Sequence, residues 1–285
     1  EVAFFKQKTA YEIGVRLVGS EMCIRDSHQR GRYSINSYYG LILEHLDIEN
    51  CKFYKSHPFS CSYIKNNTEQ RLFIKLDNSK KSKILFNNLM TNGFRRNLDH
   101  MYLPVCENCK SCISSRINTY DFKLSNSNKR ILRKNIDTYY IKKNKEIDLD
   151  RYKLFIKYTN FRHSEGEMKS MSFKEFKLFV YSSPVETRVF DFFNVENTLI
   201  GTILLDVLND GLSAVYSFYD PDLTNNSLGK LMILKAVREV KKLKLDYLYL
   251  GFWIKESQKM NYKLDFNNLE LFKNGKWEKK ELVIV

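Results

Sequence analysis

The sequence has few residues that break or loosen a chain: of 285 residues only 4 are proline and 11 are glycine. This scarcity excludes a collagen-like chain and a proline- and glycine-rich disordered one. Long apolar runs are also missing, because the longest, around residues 199–208, is interrupted by Gly201, Thr202 and Asp206. A bilayer span needs roughly 20 apolar residues, so no membrane span is expected. At this length, the chain is expected to form two globular domains.

Acidic residues are in deficit, with 33 Asp and Glu against 47 Lys and Arg, which leaves a formal net charge of +14. A basic protein attracts polyanions, so the charge favours a nucleic-acid partner such as RNA. The alternative is codon bias, because Lys, Asn, Ile, Tyr and Phe are the residues of AT-rich codons.

The first 30 residues do not resemble the rest of the chain. Lys6–Ile13 reads KQKTAYEI and Leu17–Ser27 reads LVGSEMCIRDS, and both resemble translated sequencing-adapter DNA. Residues 1–30 are therefore expected to be a non-native segment and take no part in the functional interpretation. Residues 31–53 receive no assignment.

The remaining chain divides into two regions that differ in how regular their predicted secondary structure is. Residues 54–141 are irregular and rich in cysteine, with one predicted helix at residues 79–92, and residues 142–149 form a polar linker.

Residues 150–285 show regular predicted helices and strands. Helices are predicted at 150–163 and at 172–181, where Ser172 and Glu175 stand in capping-box positions. Strands follow at 188–195, 198–208 and 212–219, then a helix at 227–243 and a strand at 246–251. Asp210-Gly211 predicts a hairpin, and the helical crossover predicts a final parallel strand, which together indicate an α+β fold.

Three cysteines, Cys106, Cys109 and Cys112, are spaced two residues apart, close enough to bind one zinc ion or an iron–sulfur cluster. Cys61 is the natural fourth ligand, with His57 and Cys51 as substitutes. No secretory segment is visible, so reduced thiols without a metal in a cytosolic protein are the alternative.

Two short polar segments have the composition of anion sites. Gly93-Phe94-Arg95-Arg96 brings two guanidiniums beside a flexible turn, which suits a carboxylate or a phosphate, although solvated surface arginines are equally consistent. Ser227-Leu228-Gly229-Lys230 opens a helix after a strand, like the pyrophosphate loop of acyl-CoA N-acyltransferases. That pattern is degraded, because Asn and Leu replace the Arg and the last small residue.

Aromatic residues and one histidine complete the candidates. Tyr216, Tyr219, Tyr249, Trp253 and Tyr262 concentrate near predicted strand ends, where they could stack a terminal nucleotide or pack a core. His163 ends a predicted helix and is interpreted either as structural or as a base or carboxylate ligand.

Taken in order, these segments resemble the bacterial aspartate/glutamate leucyltransferases, relatives of the arginyl-tRNA–protein transferases, from about residue 58 to 277. The resemblance rests on an ordered series of motifs. They are Cys61-Ser62-Tyr63, Gly93-Phe94-Arg95-Arg96, Tyr102-x-Pro104-x-Cys106-x2-Cys109-x2-Cys112, Arg162-His163, residues 210–221, Ser227-Leu228-Gly229, residues 247–254 and Lys259-Met260-x-Tyr262-Lys263.

The resemblance implies a Cys-bearing N-terminal domain and an acetyltransferase-like mixed-sheet domain that uses aminoacyl-tRNA instead of acyl-CoA. It implies a cytoplasmic enzyme that moves leucine from Leu-tRNA to an N-terminal Asp or Glu and so marks proteins for degradation. The transfer chemistry is expected to need no cofactor and no membrane. The alternatives are an acyl-CoA-dependent N-acyltransferase and a non-catalytic zinc- and RNA-binding protein.

Site roles follow as hypotheses for aminolysis of an ester. Arg95, Arg96 or His163 is expected to bind the acceptor carboxylate, and Tyr216 and Tyr249 to carry or donate a proton. The other expected substrate-binding residues are Ser213, Tyr219, Asp220, Ser227, Gly229, Gly251, Trp253, Lys259 and Tyr262.

Overall fold

A computed structural model describes residues 51–143, 149–162 and 167–283. The expected non-native segment at 1–30, nearly all of residues 31–53, most of the predicted linker and His163 lie outside the described residues.

Fourteen strands and six helices are defined in the described part of the chain. The strands are β1 (Tyr54–Lys55), β2 (Phe59–Ser60), β3 (Thr68–Glu69), β4 (Arg71–Lys75), β5 (Arg95–Asn97), β6 (His100–Pro104), β7 (Ile113–Asn118), β8 (Tyr139–Lys143), β9 (Thr187–Phe193), β10 (Leu199–Val207), β11 (Gly211–Tyr219), β12 (Tyr247–Trp253), β13 (Leu269–Lys273) and β14 (Lys276–Lys279). The helices are α1 (Lys80–Thr91), α2 (Asn126–Lys134), α3 (Leu149–Arg162), α4 (Phe173–Tyr181), α5 (Leu228–Lys242) and α6 (Lys280–Val283).

The strands form one large and two small sheets. The large sheet has the order β14-β13-β7-β12-β11-β10-β9-β8, and a four-stranded sheet has the order β1-β4-β6-β5, while β2 pairs with β3. The large sheet is mixed, because β11 and β12 run parallel whereas their other neighbours are antiparallel. This confirms the predicted α+β, acetyltransferase-like mixed-sheet fold, including the final parallel strand.

Local signals placed the C-terminal elements correctly. Ser172 caps α4, with its backbone N–H donating to Glu175 Oε2 at 2.7 Å and its Oγ accepting from the Glu175 N–H at 3.3 Å. The β10–β11 hairpin turns at Asp210-Gly211 as expected. Gly211 is required there, because a Cβ would lie 2.2 Å from the carbonyl oxygen of Tyr247 on the parallel neighbour.

The description of residues 54–141 as irregular is wrong in part. This region forms the four-stranded sheet, helix α2 and two strands of the large sheet, β7 and β8. Strand β7 was missed because its buried centre is polar: Ser114, Ser115 and Arg116 are each under 9% exposed. The boundary at 142–149 stays a prediction, although the large sheet includes strands from before it.

Both faces of β12 are covered, which explains its continuous apolar sequence. Leu248 and Leu250 pack in a cluster with α5, whereas Tyr249 and Phe252 pack on the opposite face in a cluster with α1. A third cluster joins α3 and α4 to β9–β11. Within the described ranges, no helix has the length and apolar composition to cross a bilayer.

Candidate active site

The central feature of the site is a fork between β11 and β12. The two strands pair in parallel only over Gly211–Ser213 and Tyr247–Tyr249, although they continue to Tyr219 and Trp253. Beyond the paired residues their facing edges do not pair with each other. The fork therefore leaves backbone groups on two strands available to a substrate.

Arg95 occupies the base of this fork. Its Nη1 donates to Ser213 Oγ at 3.3 Å and its Nη2 donates to the Ala214 carbonyl at 3.1 Å, so both contacts lie where the pairing stops. The guanidinium packs against Gly251 on the other strand. Burial lowers the pKa of Arg95, but a guanidinium stays protonated, and no described carboxylate forms an ion pair with it. The fork thus contains a cation with unused donors.

Gly251 makes this contact possible. A Cβ at this position would lie 2.7 Å from Arg95 Cζ, and its φ of +81° is rarely adopted by other residues. The β7–β12 register shifts at this point, as in a β-bulge, and Ser115 Oγ donates to the Gly251 carbonyl at 2.6 Å.

Three phenols lie within electrostatic range of the guanidinium of Arg95. Tyr63, Tyr102 and Tyr262 interact with it electrostatically, and none of their hydroxyls hydrogen-bonds to another described residue. Burial raises the pKa of all three, to about 12 for Tyr262, so they remain neutral donors at physiological pH. A guanidinium with neutral phenol donors is an arrangement that suits a carboxylate.

The opposite wall is formed by the end of β11 and the start of α5. Tyr219 lies over Gly229, where a Cβ would be 3.2 Å from the ring, and its ring centroid is 5.0 Å from that of Tyr158. Ser227 precedes the helix with φ 51° and its side chain does not cap it. The first backbone N–H groups of α5 therefore donate to no N-cap side chain. Free N–H groups at the start of a helix suit an anion.

The segment Gln258–Asp265, which forms 3₁₀ turns, connects the two walls. Lys230 on α5 forms an ion pair with Asp265. Tyr262 interacts electrostatically with both Arg95 and Tyr219, which lie on the two walls. Lys259 is exposed on the same segment.

Two other predicted substrate-binding residues have structural contacts of their own. Asp220 accepts from the Asp222 N–H at 3.0 Å and from Lys157 Nζ at 2.6 Å, which stabilises the turn after β11. Trp253 is 4% exposed within the α5 cluster, and its indole N–H has no partner among the described residues.

Arg96 is not available to a substrate, which corrects its predicted role. Its Nε and Nη2 contact the two carboxylate oxygens of Asp206 at 2.5 and 2.8 Å, and Thr187 Oγ1 donates to the same carboxylate at 2.6 Å. Adjacent residues on a strand point to opposite faces, so only one of the two arginines can reach the fork.

The two predicted proton carriers, Tyr216 and Tyr249, both pack inside the protein and contact other side chains through their hydroxyls. Tyr216 packs in the aromatic cluster beneath α3, and its hydroxyl is 3.9 Å from Met168 Sδ. Tyr249 is 2% exposed; its hydroxyl donates to Asp210 Oδ2 at 2.8 Å and accepts from Arg116 Nη1 at 3.3 Å. Burial raises the pKa of both phenols. We therefore place neither hydroxyl at the reacting atoms.

Tyr63, Tyr102 and Lys263 were not among the predicted site residues, although all three belong to the ordered motifs. Lys263 is 3% exposed, and its amine donates to the carbonyl of Phe252 on β12. Burial, and next the charge of Arg95, lower its pKa well below the usual value. Their membership of the ordered motifs is the sequence signal that could have identified them. A motif does not reveal, however, which of its side chains face the fork.

A separate cavity of about 180 Å³ is lined by Cys61, Cys106, Cys109 and Cys112. The backbone N–H groups of Tyr63 and Ile64 each donate to Cys61 Sγ at 3.4 Å. Burial raises the pKa of the Cys106 and Cys112 thiols. Over the residues with described positions, no three His, Cys, Asp or Glu side chains are arranged to hold a metal ion. The metal site stays a prediction.

The family models and the sequence relatives agree on one family. Residues 150–273 match the family described as "Arginine-tRNA-protein transferase, C terminus", and residues 59–130 match its "N terminus" counterpart. The aspartate/glutamate leucyltransferase of Dinoroseobacter shibae is 38% identical over 237 residues, covering 80% of this chain and 83% of that protein. Its namesake from Pseudomonas aeruginosa is 36% identical over 231 residues, covering 81% and 97%. The crystal structure of FemX aligns with a TM-score of 0.42 and 9% identity, covering 82% of this chain and 87% of that one.

Proposed function

Since the chain belongs to the arginine-tRNA-protein transferase family, we propose that it transfers leucine from Leu-tRNA to an N-terminal Asp or Glu of cytoplasmic proteins, marking them for degradation. The observation that carries the proposal is Arg95, a guanidinium without a described carboxylate partner at the base of the β11–β12 fork. The names of the relatives supply the donor and acceptor amino acids.

Arg95 binds the side-chain carboxylate of the acceptor in this proposal, with the phenols of Tyr63, Tyr102 and Tyr262 as further donors. An acceptor that begins with Ala lacks this carboxylate and leaves the guanidinium without its ion pair. Charge-assisted hydrogen bonds contribute about 1.5–3 kcal/mol each, which is enough for strong selectivity.

The aminoacyl ester lies in the fork, with the terminal adenosine against Tyr219 and a phosphate near the free amides at the start of α5. Gly229 permits the close approach of Tyr219, and Ser227 leaves those amides uncapped. Lys259, exposed on the adjoining segment, faces solvent where it can contact the nucleotide backbone.

The reaction is aminolysis of an ester. The neutral α-amine of the acceptor, whose pKa is near 8, attacks the leucyl carbonyl carbon. A C–N bond forms, the C–O bond to the terminal ribose breaks, and the amine proton passes to the leaving ribose oxygen. Because the ester is already activated, the protein needs mainly to align the two substrates and to donate hydrogen bonds to the tetrahedral oxyanion. Unpaired N–H groups along the fork are the candidate donors.

No cofactor enters this mechanism. As a separate proposal, Cys61, Cys106, Cys109 and Cys112 hold a zinc ion or an iron–sulfur cluster that stabilises the fold. Four thiols lining one cavity, with two N–H donors to Cys61 Sγ, support it. The test is to measure the metal content and the visible spectrum of anaerobically purified wild-type protein and of the Cys109→Ser variant. The absence of a stoichiometric metal after growth with added zinc and iron would contradict it.

The activity is tested by mixing the protein with Leu-tRNA and peptides beginning with Asp, Glu or Ala, and measuring peptide mass. The proposal predicts a leucine-sized gain only on the acidic peptides. An acetyl-sized gain in peptide mass with acetyl-CoA would contradict the proposal. So would an unchanged peptide mass when the Leu-tRNA is intact and the protein is folded.

A further inference from the structure

Helix α2 carries an exposed cationic stripe. Asn128 and Ile131 are buried, and Asn135, which caps the helix, is also buried. This spacing of three and four residues defines the inner face of the helix. The outward positions carry four exposed cations, which are Lys129, Arg130, Arg133 and Lys134.

The charge of this stripe is uncompensated. Helix α2 contains no acidic residue, and none of the four cations forms an ion pair with a described residue. By contrast, Lys157 and Lys230, which lie beside the fork, are both paired with aspartates. Four like charges on nine residues of helix repel one another, and a bound anion offsets that repulsion.

Two hydrogen bonds fix the direction of α2 along α5. At one end Lys241 Nζ, in the last turn of α5, donates to the carbonyl of Phe122 at 3.2 Å. At the other end Asn135 Nδ2 donates to the carbonyl of Asn226 at 2.9 Å, next to the start of α5. The helices are therefore antiparallel, and the stripe, which extends about 8 Å along the axis of α2, leads away from the wall of the fork that contains Ser227.

Helix α5 adds to the same positive surface. Arg238 and Lys242 are exposed and form no ion pair with a described residue, and Lys235 lies one turn before Arg238. Burial, and next the charge of Arg238, lower the pKa of Lys235. Glu239, a carboxylate on the same helix, accepts a hydrogen bond from the hydroxyl of Tyr140.

We propose that the α2 stripe binds the phosphate backbone of the tRNA acceptor stem while the aminoacyl end lies in the fork. The inference rests on the proposed function. It commits to RNA rather than an acidic protein, because α2 packs in the α5 cluster, whereas β5, which carries Arg95, pairs with β6, and Met101 and Leu103 of β6 pack in the cluster on the opposite face of β12. The strand that carries Arg95 and the stripe thus lie on different sides of the large sheet. A rigid row of cations suits duplex RNA, which is recognised largely through its shape and backbone.

The test compares two variants that lose the same charge. Arg130→Gln/Arg133→Gln alters the stripe, and Lys80→Gln/Lys81→Gln alters two exposed cations at the start of α1, on the other face. The first readout is the Kd of uncharged tRNA-Leu at several salt concentrations. The stripe variant is expected to bind about tenfold more weakly, with a log–log salt slope shallower by about 1–2, since each lost phosphate contact changes it by about 0.7–0.9. The α1 variant is expected to bind like the wild type.

Equal Kd values and slopes for the two variants would overturn the inference. So would a raised KM for an acidic acceptor protein at unchanged tRNA affinity, because that result assigns the stripe to the other substrate. If the wild type transfers no leucine but its tRNA affinity depends on the stripe, the proposed function fails and the RNA surface stands. Thermal unfolding of both variants checks that the loss of binding is not a loss of folding.

Discussion

Arg95 and Gly251 are in direct contact across the β11–β12 fork, and the absence of a side chain at Gly251 sets the position of the guanidinium. A Cβ at residue 251 would lie 2.7 Å from Arg95 Cζ and 2.8 Å from Nη2. The guanidinium must shift from this position if residue 251 carries a side chain. The acceptor-binding role proposed for Arg95 therefore depends on this glycine.

Gly251→Ala is expected to displace Arg95 and to lower kcat/KM for Asp-initiated peptides by at least about tenfold, the loss expected from weakening one charge-assisted hydrogen bond. Gly275→Ala is the matched control, because Gly275 has a similar φ of +78° but nothing within 4 Å of a Cβ. Both variants lose about 1–2 kcal/mol of unfolding free energy from the positive φ. Equal kinetics in the two variants would contradict the contact's role.

Arg96→Met is expected to destabilise the protein by about 3–5 kcal/mol in urea unfolding, because it leaves the Asp206 carboxylate buried without its cation. The exposed pair Lys153–Asp150 provides the contrast, since both side chains are over 70% exposed. Lys153→Met is expected to change stability by less than about 0.5 kcal/mol. If Arg96→Met instead altered only the KM for the peptide, Arg96 would belong to the binding site.

The fold could be predicted where the signals are local. The capping box at Ser172 and the turn at Gly211 each involve neighbours in the sequence, and both are confirmed. Strand β7 could not be found this way, because buried Ser115 and Arg116 are stabilised by Gly251 and Glu270, more than 130 residues away.

The site was predictable in composition but not in detail. Sequence motifs included Arg95, Arg96 and Tyr102, yet a one-residue difference along β5 decides which arginine reaches the fork. Similarly, the motif that contains Tyr249 does not show that its hydroxyl donates to Asp210. Such distinctions depend on strand register, which short motifs do not encode.

Tyr216→Phe is expected to keep kcat within about twofold of the wild type, because its hydroxyl contacts only a thioether sulfur among the described residues. Tyr249→Phe is expected to cost about 1–3 kcal/mol of stability, since it removes the donor to the partly buried Asp210 carboxylate. Urea unfolding and single-turnover leucyl transfer measure the two effects. A loss of the transfer step of 100-fold or more in folded Tyr216→Phe would restore that residue as a proton carrier.

Lys263 is expected to make stability rise with pH. Its pKa is lowered in the folded protein, so between that value and the unfolded value near 10.4 the unfolded chain binds more protons. The free energy of unfolding then increases by up to about 1.4 kcal/mol per pH unit in this window. Chemical unfolding at several pH values up to 10 is expected to show this slope in the wild type and in Lys259→Met, but not in Lys263→Met. The same slope in all three proteins would show that Lys263 is not the cause.

The most direct test of the central claim is the ratio of kcat/KM for Asp-initiated over Ala-initiated peptides, measured with Leu-tRNA for wild type and Arg95→Met. The carboxylate interaction predicts that the ratio falls about 10- to 100-fold, while the KM for Leu-tRNA changes little. An unchanged ratio in a folded Arg95→Met protein would contradict the assignment of Arg95 to the acceptor carboxylate.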